Sequence, residues 1–354
     1  MNRRGRPLRI AQVAPVAAPV RPGEGDSVEQ SVGLLTEGLV ARGHDVTLYA
    51  TADSQTSARL RAARASGYEE EGEAVWDWYR AESFNAALAF AHASEHDVIH
   101  AHNSPFALPF APLVKTPLVD TPHTEIPPMV IAEYVRRPEV HVVAVSDHQQ
   151  RALGNRPNVS VIPHGIDFDV FPFSAQPEGY LLFLGRMLAD KGPAQAIRIA
   201  QRARMPLILA GPAQDGYDVR AESGVDGEHV RWVGRVDPDE RNRLLAGAVA
   251  LLFPLVYPEP LGLVLLEAMA CGTPVLATAM AAALELIEPG VTGFTAASWS
   301  DLVERVPAAA ELDRKTIRRV ARRRFDADLM IDRHEALYQR IVEQRSWRIV
   351  GQRS

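Results

Sequence analysis

Two glutamates could act on one ligand in the segment YPEPLGLVLLEAMACGTPVLAT, which spans residues 257–278. Glu259 lies between Pro258 and Pro260, and these prolines predict a turn because proline fixes φ and disfavours helix in the residue before it. Glu267 follows on the helix that the apolar run LGLVLLEAMA indicates. Carboxylates accept hydrogen bonds from hydroxyl groups, so the pair suits a ligand that carries hydroxyls at both ends.

The helix between the two glutamates offers an anion site. It is expected to begin near Leu261, with Gly262 in its first turn, and to end at Gly272 and Pro274 before the buried strand PVLAT. Glycine lets the backbone approach a ligand closely, and the free N–H groups at a helix start attract phosphate. One carboxylate then lies at a phosphate-binding turn and the other about two helical turns deeper. This arrangement indicates a nucleotide sugar, although two surface glutamates beside an ordinary helix are the alternative.

A second pattern of strand, turn and helix brings cations towards the same anion. It reads YLLFLGRMLADKGPAQAIRIA over residues 180–200, where Gly185 permits a tight turn before Arg186 and Lys191. Lys191 stands out because only three of the 38 basic residues are lysines. Two fixed cations stabilise the charge on a departing nucleoside diphosphate, a task that other enzymes give to a divalent metal. The alternative is a solvated basic loop.

The N-terminal half begins as a βαβ unit: the strand LRIAQVAP, the helix QSVGLLTEGLVARG and the strand DVTLYAT. The helix carries an apolar stripe at Leu34, Leu35, Leu39 and Val40. Further strands are expected at DVIHAH, PLVDTPH and VHVVAVS, and the whole pattern predicts a doubly wound parallel sheet.

Three histidines lie on or after these strands. His123 follows PLVDTP, at the end of a parallel strand where open α/β sheets bind ligands, so it is a candidate site residue rather than only a satisfied loop histidine. His100 and His102 alternate on one strand and therefore share a face. Metal binding by this pair is the weaker interpretation, because two ligands without an obvious third seldom form a site.

Together these segments resemble the retaining glycosyltransferases of the glycogen-synthase-like family four, also called group 1. EPLGLVLLE resembles the E-x7-E element of that family, and the likeness runs from LRIAQVAP to EPGVTGF. The resemblance implies the GT-B architecture, with two Rossmann-like, doubly wound α/β parallel-sheet domains facing a central cleft. We expect an acceptor-side domain over 1–170, a donor-side domain over 171–328 and a helix over 329–354 that returns to the first domain.

The resemblance also implies roles for individual residues. Glu259 would bind hydroxyls of the donor sugar, Glu267 the nucleotide ribose, and the GR...KG pair the diphosphate. His123 would contact the donor sugar, and its backbone carbonyl would guide the acceptor. The catalytic residues would be His123, Arg186, Lys191 and Glu259. The donor-binding residues would be Arg186, Lys191, Gly234, Arg235, Val236, Glu259, Leu261, Gly262, Leu263, Val264 and Glu267.

The chain departs from the family pattern in three segments. In the loop RPGEGDSVE, Gly25 and Glu29 match a glycine-rich G-G-x-x-E element, but Asp26 replaces a glycine and would repel a diphosphate. We therefore assign Gly25, Asp26 and Ser27 to either an acceptor or a donor loop. In the connection VIPHGIDFDVF, which resembles the family's NGID...F linker, His164 replaces the usual asparagine. After the Glu267 helix, the residues where a glycine and a proline are usual are Ala281 and Leu284.

The connection also contains Asp167 and Asp169, a D-x-D pattern that is typical of metal sites in a different glycosyltransferase architecture. We reject a metal site here, because aspartates in a Pro- and Phe-rich connection favour turns and helix caps. We therefore expect no metal.

Composition excludes other classes of protein. The 354 residues suit two domains better than one, and the net charge of -6 argues against a general nucleic-acid binder. No apolar run is long enough to span a bilayer, and MNRRGRPLRI lacks the apolar stretch of a signal peptide, so we expect a cytoplasmic protein. The single cysteine, Cys271, allows no internal disulfide and suits a buried apolar position better than a nucleophile.

The C-terminal segment from residue 314 onward is expected to be helical and rich in arginine. Leu329, Ile331, Leu337 and Ile341 would form its apolar face. Its basic cluster could bind anionic lipid, but we favour a solvated helix face over peripheral membrane association, because charge runs usually face solvent. The cluster comprises Arg318, Arg319, Arg322, Arg323 and Arg324.

The sequence therefore predicts a retaining hexosyltransferase that moves a sugar from a nucleotide sugar to an unidentified glycan, lipid or small-molecule acceptor. We favour a UDP-sugar over a GDP-sugar as the donor, and we expect no cofactor beyond this co-substrate. Catalysis would depend on positioning and electrostatics. A nucleotide-sugar epimerase, which would form a new sugar isomer without an acceptor, is one alternative. A nucleotide-sugar-binding protein with little turnover is another, and donor hydrolysis would separate it. A pyridoxal-dependent phosphorylase fits less well, because Lys115 and Lys315 lie in no Schiff-base motif.

Overall fold

The computed structural model describes residues 6–21, 27–71, 75–214, 216–222, 224–260 and 262–351. The chain divides into two compact units. The first contains the residues up to Gly165 together with those from Ala327, and the second is Ile166–Asp326.

Within the described residues, the first unit is built on a seven-stranded parallel sheet. Its strands are β1 (Arg9–Val13), β2 (Asp45–Ala50), β3 (Arg59–Ala62), β4 (Val98–Ala101), β5 (Leu118–Asp120), β6 (His141–Ala144) and β7 (Val159–Val161). Their order is β3-β2-β1-β4-β5-β6-β7, which reverses direction between β1 and β4. The helices between these strands are α1 (Ser27–Ala41), α2 (Tyr68–Glu71), α3 (Val75–Ala91), α4 (Pro128–Arg136) and α5 (Asp147–Leu153).

Helices cover both faces of this sheet, and the sequence of β1 shows why. Ile10 packs in a core that includes Leu35 of α1, whereas Ala11 and Val13 pack in a second core that includes Phe90 of α3. A strand that is buried on both faces needs apolar side chains at successive positions, as parallel strands usually have. The stripe predicted for α1 is confirmed, because its four apolar residues all pack into or against the first of these cores.

The second unit contains a six-stranded parallel sheet within the described residues. Its strands are β8 (Leu181–Leu184), β9 (Leu207–Ala210), β10 (Val230–Gly234), β11 (Ala250–Phe253), β12 (Val275–Thr278) and β13 (Gly293–Ala296). Their order is β10-β9-β8-β11-β12-β13. The helices are α6 (Pro193–Ala203), α7 (Pro238–Gly247), α8 (Leu263–Ala270), α9 (Ala283–Leu286), α10 (Trp299–Val303), α11 (Val306–Ala310) and α12 (Arg314–Phe325). The predicted class, two doubly wound parallel-sheet α/β domains, is confirmed.

The last helix, α13 (Ala327–Gly351), belongs to the first unit. Its apolar face is shifted by one residue from the prediction at its start: Leu329 is only partly buried, and Met330 enters the core instead. The helix packs closely on α1, because a Cβ at Gly38 would lie 2.2 Å from Cδ1 of Ile331. The buried residues of α13 include Met330, Ile331, Leu337, Tyr338 and Ile341.

The expected solvated face of α12 is present in part, because three of the five arginines in the predicted cluster are exposed, but two of the five also make contacts within the unit. The guanidinium of Arg318 donates to the main-chain oxygens of Phe168 and Ala270, at 2.7 and 2.6 Å. Arg322 binds both carboxylate oxygens of Asp169, at 2.7 and 2.9 Å. These side chains therefore tie the helix to its own unit instead of extending freely into solvent.

The same contacts account for the D-x-D pattern. Asp169 is paired with Arg322, and the carboxylate of Asp167 accepts a hydrogen bond of 2.9 Å from the main-chain N–H of Asp169. The second contact caps a short 3-10 helix over Phe168–Val170. Both aspartates thus have structural roles, as expected for this segment.

Candidate active site

The loop between β11 and α8 carries Glu259. Helix α8 begins at Leu263 and not near Leu261, because Gly262 has the left-handed conformation (φ 72°) and precedes the helix as its N-cap. A side chain would be strained there and its Cβ would lie 3.2 Å from the Phe253 ring, so glycine is required. Leu263 and Val264 open the helix, where N–H groups have no partner within the helix. Leu261 itself lies outside the described residues.

Lys191 and Glu259 are in direct contact. The Nζ atom of Lys191 lies 2.6 Å from Oε2 of Glu259, and the two side chains are 21% and 28% exposed. Lys191 ends a short 3-10 helix over Ala189–Lys191, after β8, whereas Glu259 follows β11. The structure therefore brings together the residue predicted to bind phosphate and the residue predicted to bind the sugar, at the carboxyl ends of two neighbouring strands.

Close backbone packing sets the position of this pair. Gly192, in the left-handed conformation (φ 81°), follows Lys191, and a Cβ there would lie 2.2 Å from the carbonyl oxygen of Pro254. The N–H of Val256 donates to the carbonyl of Asp190 at 2.9 Å. The loops after β8 and β11 are thus held against each other by main-chain atoms, which fixes the main chain of Lys191 beside the loop of Glu259.

Arg186 is not part of this contact. It is exposed, and its Nη1 atom lies 3.4 Å from Oε1 of Gln214, in the loop after β9. Next to these loops is an open cavity of about 520 Å³, lined by Leu188, Ala189, Asp190, Gln214, Gly216 and Tyr217. Arg186 and Lys191 both lie in the connection between β8 and α6, and within the described residues no contact joins their side chains.

Glu267 lies deeper on α8 and is only 7% exposed. Burial raises the pKa of its carboxyl group, and the positive charge of Arg241 opposes this rise. Nη1 of Arg241, on α7, lies 3.6 Å from Oε1 of Glu267. Sequence reasoning did not predict this arginine, because it lies on a separate helix, outside the E-x7-E segment. The carboxylate therefore retains capacity to accept further hydrogen bonds, as a ribose-binding residue requires.

Cys271 is buried immediately beyond α8, and burial raises the pKa of its thiol to about 12. A thiol with this pKa is not a nucleophile at neutral pH, in agreement with the apolar role inferred from the sequence.

The turn after β10 lies beside the loops after β8 and β9. Gly234 has a left-handed conformation (φ 74°), and its carbonyl accepts a hydrogen bond of 2.7 Å from the N–H of Gly211. A Cβ at Gly211 would lie 1.9 Å from the carbonyl oxygen of Gly185, so these three turns are packed backbone to backbone. Arg235 is exposed and Val236 is partly buried. Sequence reasoning missed Gly211, although a glycine directly after an apolar strand is a recognisable signal.

The altered turn after β12 touches the Glu259 loop. Ala281 has a positive φ of 42°, which is unusual for a residue with a side chain, and the N–H of Ala282 donates to the carbonyl of Glu259 at 3.3 Å. Leu284 is 57% exposed. This turn can therefore change the position of Glu259 through a main-chain contact.

The first unit contains a row of hydrogen-bonded side chains that includes His123. Nε2 of His123 lies 3.0 Å from Nδ1 of His102, and Nδ1 of His123 lies 3.0 Å from Nε2 of His164. Nε2 of His102 in turn lies 2.7 Å from Oε1 of Gln12. We call Gln12, His102, His123 and His164 the histidine row. Because both ring nitrogens of His123 are engaged, neither is free to bind a sugar hydroxyl while the row is intact.

Burial keeps these rings neutral. Desolvation lowers the pKa of His102, His123 and His164 well below the ordinary value, and the neighbouring imidazoles add to the effect. His100 is close by, with its ring centroid 4.0 Å from that of His102, so the shared face predicted for this pair is confirmed.

The predicted acceptor or donor loop is only partly described. Gly25 and Asp26 lie outside the described residues, and Ser27 is the first residue of α1. Across the described ranges, no group of three or more His, Cys, Asp or Glu side chains could hold a metal ion. Within the same ranges, no helix combines the length and the apolar character that crossing a membrane requires.

Two family models match the chain, one in each half. Residues 168–323 match "Glycosyl transferases group 1", and residues 28–170 match "Glycosyltransferase Family 4". The first match contains Arg186, Lys191, Glu259 and Glu267, and the second contains His123.

Individual proteins agree with the family models. Phosphatidyl-myo-inositol mannosyltransferase of Mycobacterium tuberculosis is 29% identical over 323 residues, which cover 81% of this chain and 82% of that protein. AviGT4, a glycosyltransferase involved in avilamycin A biosynthesis, is 25% identical with a TM-score of 0.69, over 95% of this chain and 98% of its own. HepE of Anabaena, in complex with UDP and glucose, shares the fold, with 20% identity and a TM-score of 0.72 over 93% and 99% of the two chains. The family inferred from the E-x7-E segment is confirmed, and the chain belongs to the group 1, family four glycosyltransferases of GT-B architecture.

Proposed function

We propose that this glycosyltransferase moves a sugar from a nucleoside-diphosphate sugar to an acceptor hydroxyl, with retention of the anomeric configuration and without a metal ion. The observation that carries the proposal is the contact between Lys191 and Glu259. It places a cation that can bind phosphate and a carboxylate that can bind sugar hydroxyls side by side, near the start of α8. A nucleotide sugar has its diphosphate and its sugar hydroxyls at this same short separation.

Donor binding would divide this ion pair between two parts of the ligand. Lys191 would turn to the diphosphate, which the first N–H groups of α8 also attract, and Glu259 would accept hydrogen bonds from the sugar. Because both side chains are partly exposed, separating them costs little: an exposed pair contributes about 0–1 kcal/mol. The ion pair therefore holds the two side chains in place in the free protein and opposes donor binding only weakly.

The nucleoside would extend towards Glu267. Arg241 lies near its buried carboxylate, and hydroxyls of the ribose would supply the hydrogen bonds that a buried carboxylate requires. The turn from Gly234 to Val236 would border the base through main-chain groups. Recognition by main-chain groups depends little on residue type, so the preferred base has to be determined by binding or activity measurements.

In the transfer step, the bond between the anomeric carbon and the diphosphate breaks as the acceptor oxygen bonds to that carbon on the same face. The acceptor proton passes to the departing phosphate oxygen. Negative charge grows on the diphosphate as the bond breaks, and Lys191 and Arg186 would stabilise it. His123 would act on the acceptor side, through the first unit. The chain thus offers electrostatic stabilisation and positioning in place of a protein nucleophile.

UDP-sugars are the first donors to test. HepE, which has the same fold, binds UDP and glucose, and the mannosyltransferase of Mycobacterium tuberculosis is named for transfer of mannose to an inositol phospholipid. These proteins give an order for the trials: UDP-glucose, other UDP-hexoses, then GDP-hexoses.

The test is a panel of nucleotide sugars, with and without candidate acceptors, in which released nucleoside diphosphate is measured. We expect one class of donor to release nucleotide, with unchanged turnover in excess chelator and an unchanged anomeric configuration in the product by NMR. Metal-reversible loss of turnover or an inverted product would overturn the proposed mechanism. A new sugar isomer without an acceptor would identify an epimerase, and donor binding without release would identify a binding protein.

A further inference from the structure

We propose that Arg241 is a positioning residue for nucleotide binding: from α7 it holds the buried side chain of Glu267, on α8, as an ionised carboxylate that binds the ribose. This inference rests on the proposed function, because that function gives Glu267 its ligand. The contact between the two side chains can also be tested without a ligand, because it affects folding stability as well as binding.

Arg241 is held by contacts within the second unit. Its guanidinium carbon lies 5.8 Å from the centre of the Phe171 ring, and its Nη1 atom lies 3.6 Å from Oε1 of Glu267. The next residue of α7, Asn242, donates from Nδ2 to the main-chain carbonyl of Val170 at 3.3 Å, which joins the helix to the segment that carries Phe171. Arginine suits this environment, because its planar cation stacks on aromatic rings and is only weakly hydrated.

The carboxylate of Glu267 is enclosed, but its hydrogen-bonding capacity is not used. The side chain is only 9% exposed, and Arg241 lies beyond hydrogen-bond distance. Among the described residues, no other donor comes within hydrogen-bond distance of this carboxylate. Because a buried carboxylate without hydrogen bonds is costly, its oxygens are poised to accept them from a ligand.

The other elements packed on α8 do not supply a cation to Glu267. Helix α12 carries Arg314 and Arg318, but their guanidinium groups bind main-chain oxygens of the same unit. Helix α9 carries the acid Glu285, which is partly exposed. Strands β11 and β12 have no ionisable side chain. The charge state of Glu267 therefore depends on the cation of α7.

Removal of this cation would favour the protonated form of Glu267. Burial raises the pKa of its carboxyl group, and Arg241 opposes that rise. Cys271, at the end of α8, stays a neutral thiol, because burial raises its pKa to about 12. An ionised carboxylate accepts on both oxygens and can bind two ribose hydroxyls through charge-assisted hydrogen bonds, whereas a protonated carboxyl must donate from one oxygen. Arg241 thus sets the pH range in which the nucleotide is bound tightly.

The pH dependence of nucleotide binding separates this role from a purely structural one. Calorimetry with UDP would compare the wild type with Arg241→Met, using GDP instead if the donor panel identifies a GDP-sugar. We expect the loss of affinity in Arg241→Met to be about tenfold greater at about pH 6 than at about pH 8.5, because only ionised Glu267 binds the ribose fully. Titration of the nucleotide itself is common to both proteins and cancels in the ratio of their Kd values.

Three further variants sharpen the comparison. Arg241→Lys keeps the charge and should largely remove the pH dependence of this ratio, although lysine lacks the planar group that stacks on Phe171. In a Glu267→Gln background, Arg241→Met should change UDP binding by the same factor at both pH values. The matched control is Arg243→Met, since Arg243 is a 55% exposed arginine of the same helix that pairs with Glu240; its ratio should not vary with pH.

Folding stability tests the contact in the absence of nucleotide. Because burial raises the folded-state pKa of Glu267, its contribution to stability is present below the unfolded-state pKa and is lost as pH rises through the folded-state pKa. Arg241→Met raises this folded-state pKa further. Between about pH 6 and 8.5 the variant should therefore lose stability relative to the wild type, whereas the double variant Arg241→Met/Glu267→Gln should not. Denaturant unfolding at the two pH values measures the difference.

The two experiments distinguish failure of this inference from failure of the proposed function. If no nucleotide sugar is turned over, the proposed function fails, and the unfolding curves still decide whether Arg241 keeps Glu267 ionised. If Arg241→Met does not fold, Arg241→Gln takes its place. A ratio of Kd values that stays constant with pH while UDP binds, or a stability difference that stays constant with pH, would overturn the inference.

Discussion

The loops around Lys191 in the second unit and the histidine row in the first unit hold their functional groups by different means. Lys191 and Glu259 are charged, partly exposed and kept in place by glycines and main-chain contacts. The side chains of the row are neutral, and His102 and His164 are buried, with 6% and 5% exposed, whereas His123 is partly buried. The proposed donor side thus keeps charge accessible, whereas the proposed acceptor side has neutral groups held by hydrogen bonds.

This difference follows from what each side would have to bind. A diphosphate carries charge that must meet a cation, and an exposed ion pair can be separated at little cost. An acceptor hydroxyl carries no charge, so orientation counts for more than electrostatic strength. Charged groups on loops need backbone packing to stay in place, while a buried polar group must satisfy its hydrogen bonds from its neighbours.

The largest effect is expected from removal of the donor-side charge. Lys191→Ala should lower kcat by ~10²-fold or more, because Lys191 is proposed to stabilise charge that grows in the transition state. Steady-state kinetics with the donor found in the panel would measure it. Lys315→Ala is the control, since Lys315 is an exposed lysine of α12 in the same unit. A variant with wild-type kcat and a raised donor KM would show that Lys191 serves binding only.

Backbone packing on the donor side can be broken by a single methyl group. Gly192→Ala should destabilise the protein by roughly 3 kcal/mol, because the new Cβ combines a positive φ with a contact of 2.2 Å to the carbonyl of Pro254. Gly179→Ala is a matched control with φ of 89° and no atom within 4 Å of its Cβ, and it should cost only about 1 kcal/mol. Denaturant unfolding measures both. Equal losses would mean that the packing of the two loops contributes nothing.

The neutral side can be tested by pH. His164 has a pKa well below 6.5 in the folded protein, so at about pH 5 the unfolded chain binds a proton that the folded one does not, and stability falls as pH drops below 6.5. His164→Asn cannot bind this proton. Between about pH 7.5 and 5, the wild type should therefore lose roughly 2 kcal/mol more stability than the variant.

Comparing the wild type with His164→Asn cancels the contributions of groups whose effect on stability has the opposite pH dependence. Burial raises the pKa of Glu82 to about 7 and of Asp120 to about 6, so both favour the folded state at lower pH, but they are present in both proteins. Unfolding curves at the two pH values give the difference directly. Identical pH dependence of the wild type and His164→Asn would show that His164 is not held neutral.

The smallest effect concerns the altered turn. Ala281→Gly should stabilise the protein by about 0.5 kcal/mol. The substitution removes the strain of a positive φ of 42°, and the free energy of this strain exceeds the entropy cost of glycine. Ala282→Gly should have the opposite sign, since Ala282 has an ordinary φ of -62°. Thermal unfolding compares them. Destabilisation by both substitutions would show that the turn is not strained.

Sequence reasoning predicted the two sheets and the edge at which the site residues lie. Apolar strands and the turns after them are local signals, so Arg186, Lys191, Glu259 and His123 were located by position along the chain. The left-handed conformation of Gly262 was missed, because glycine is equally compatible with the first turn of a helix and with its N-cap. Partners distant in sequence were missed too. His102, His123 and His164 come from three separate loops, and Arg241 reaches Glu267 from a neighbouring helix.

The central claim is that Glu259 and Glu267 bind opposite ends of one donor, and calorimetry with UDP, which has no sugar, tests it most directly. Glu267→Gln should weaken UDP binding by about 1.5–3 kcal/mol, because it removes a charge-assisted hydrogen bond to the ribose. Glu259→Gln should leave UDP binding unchanged or slightly tighter, because it releases Lys191 from its ion pair while impairing sugar transfer. Equal weakening of UDP binding by the two substitutions would contradict the account and the donor orientation it proposes.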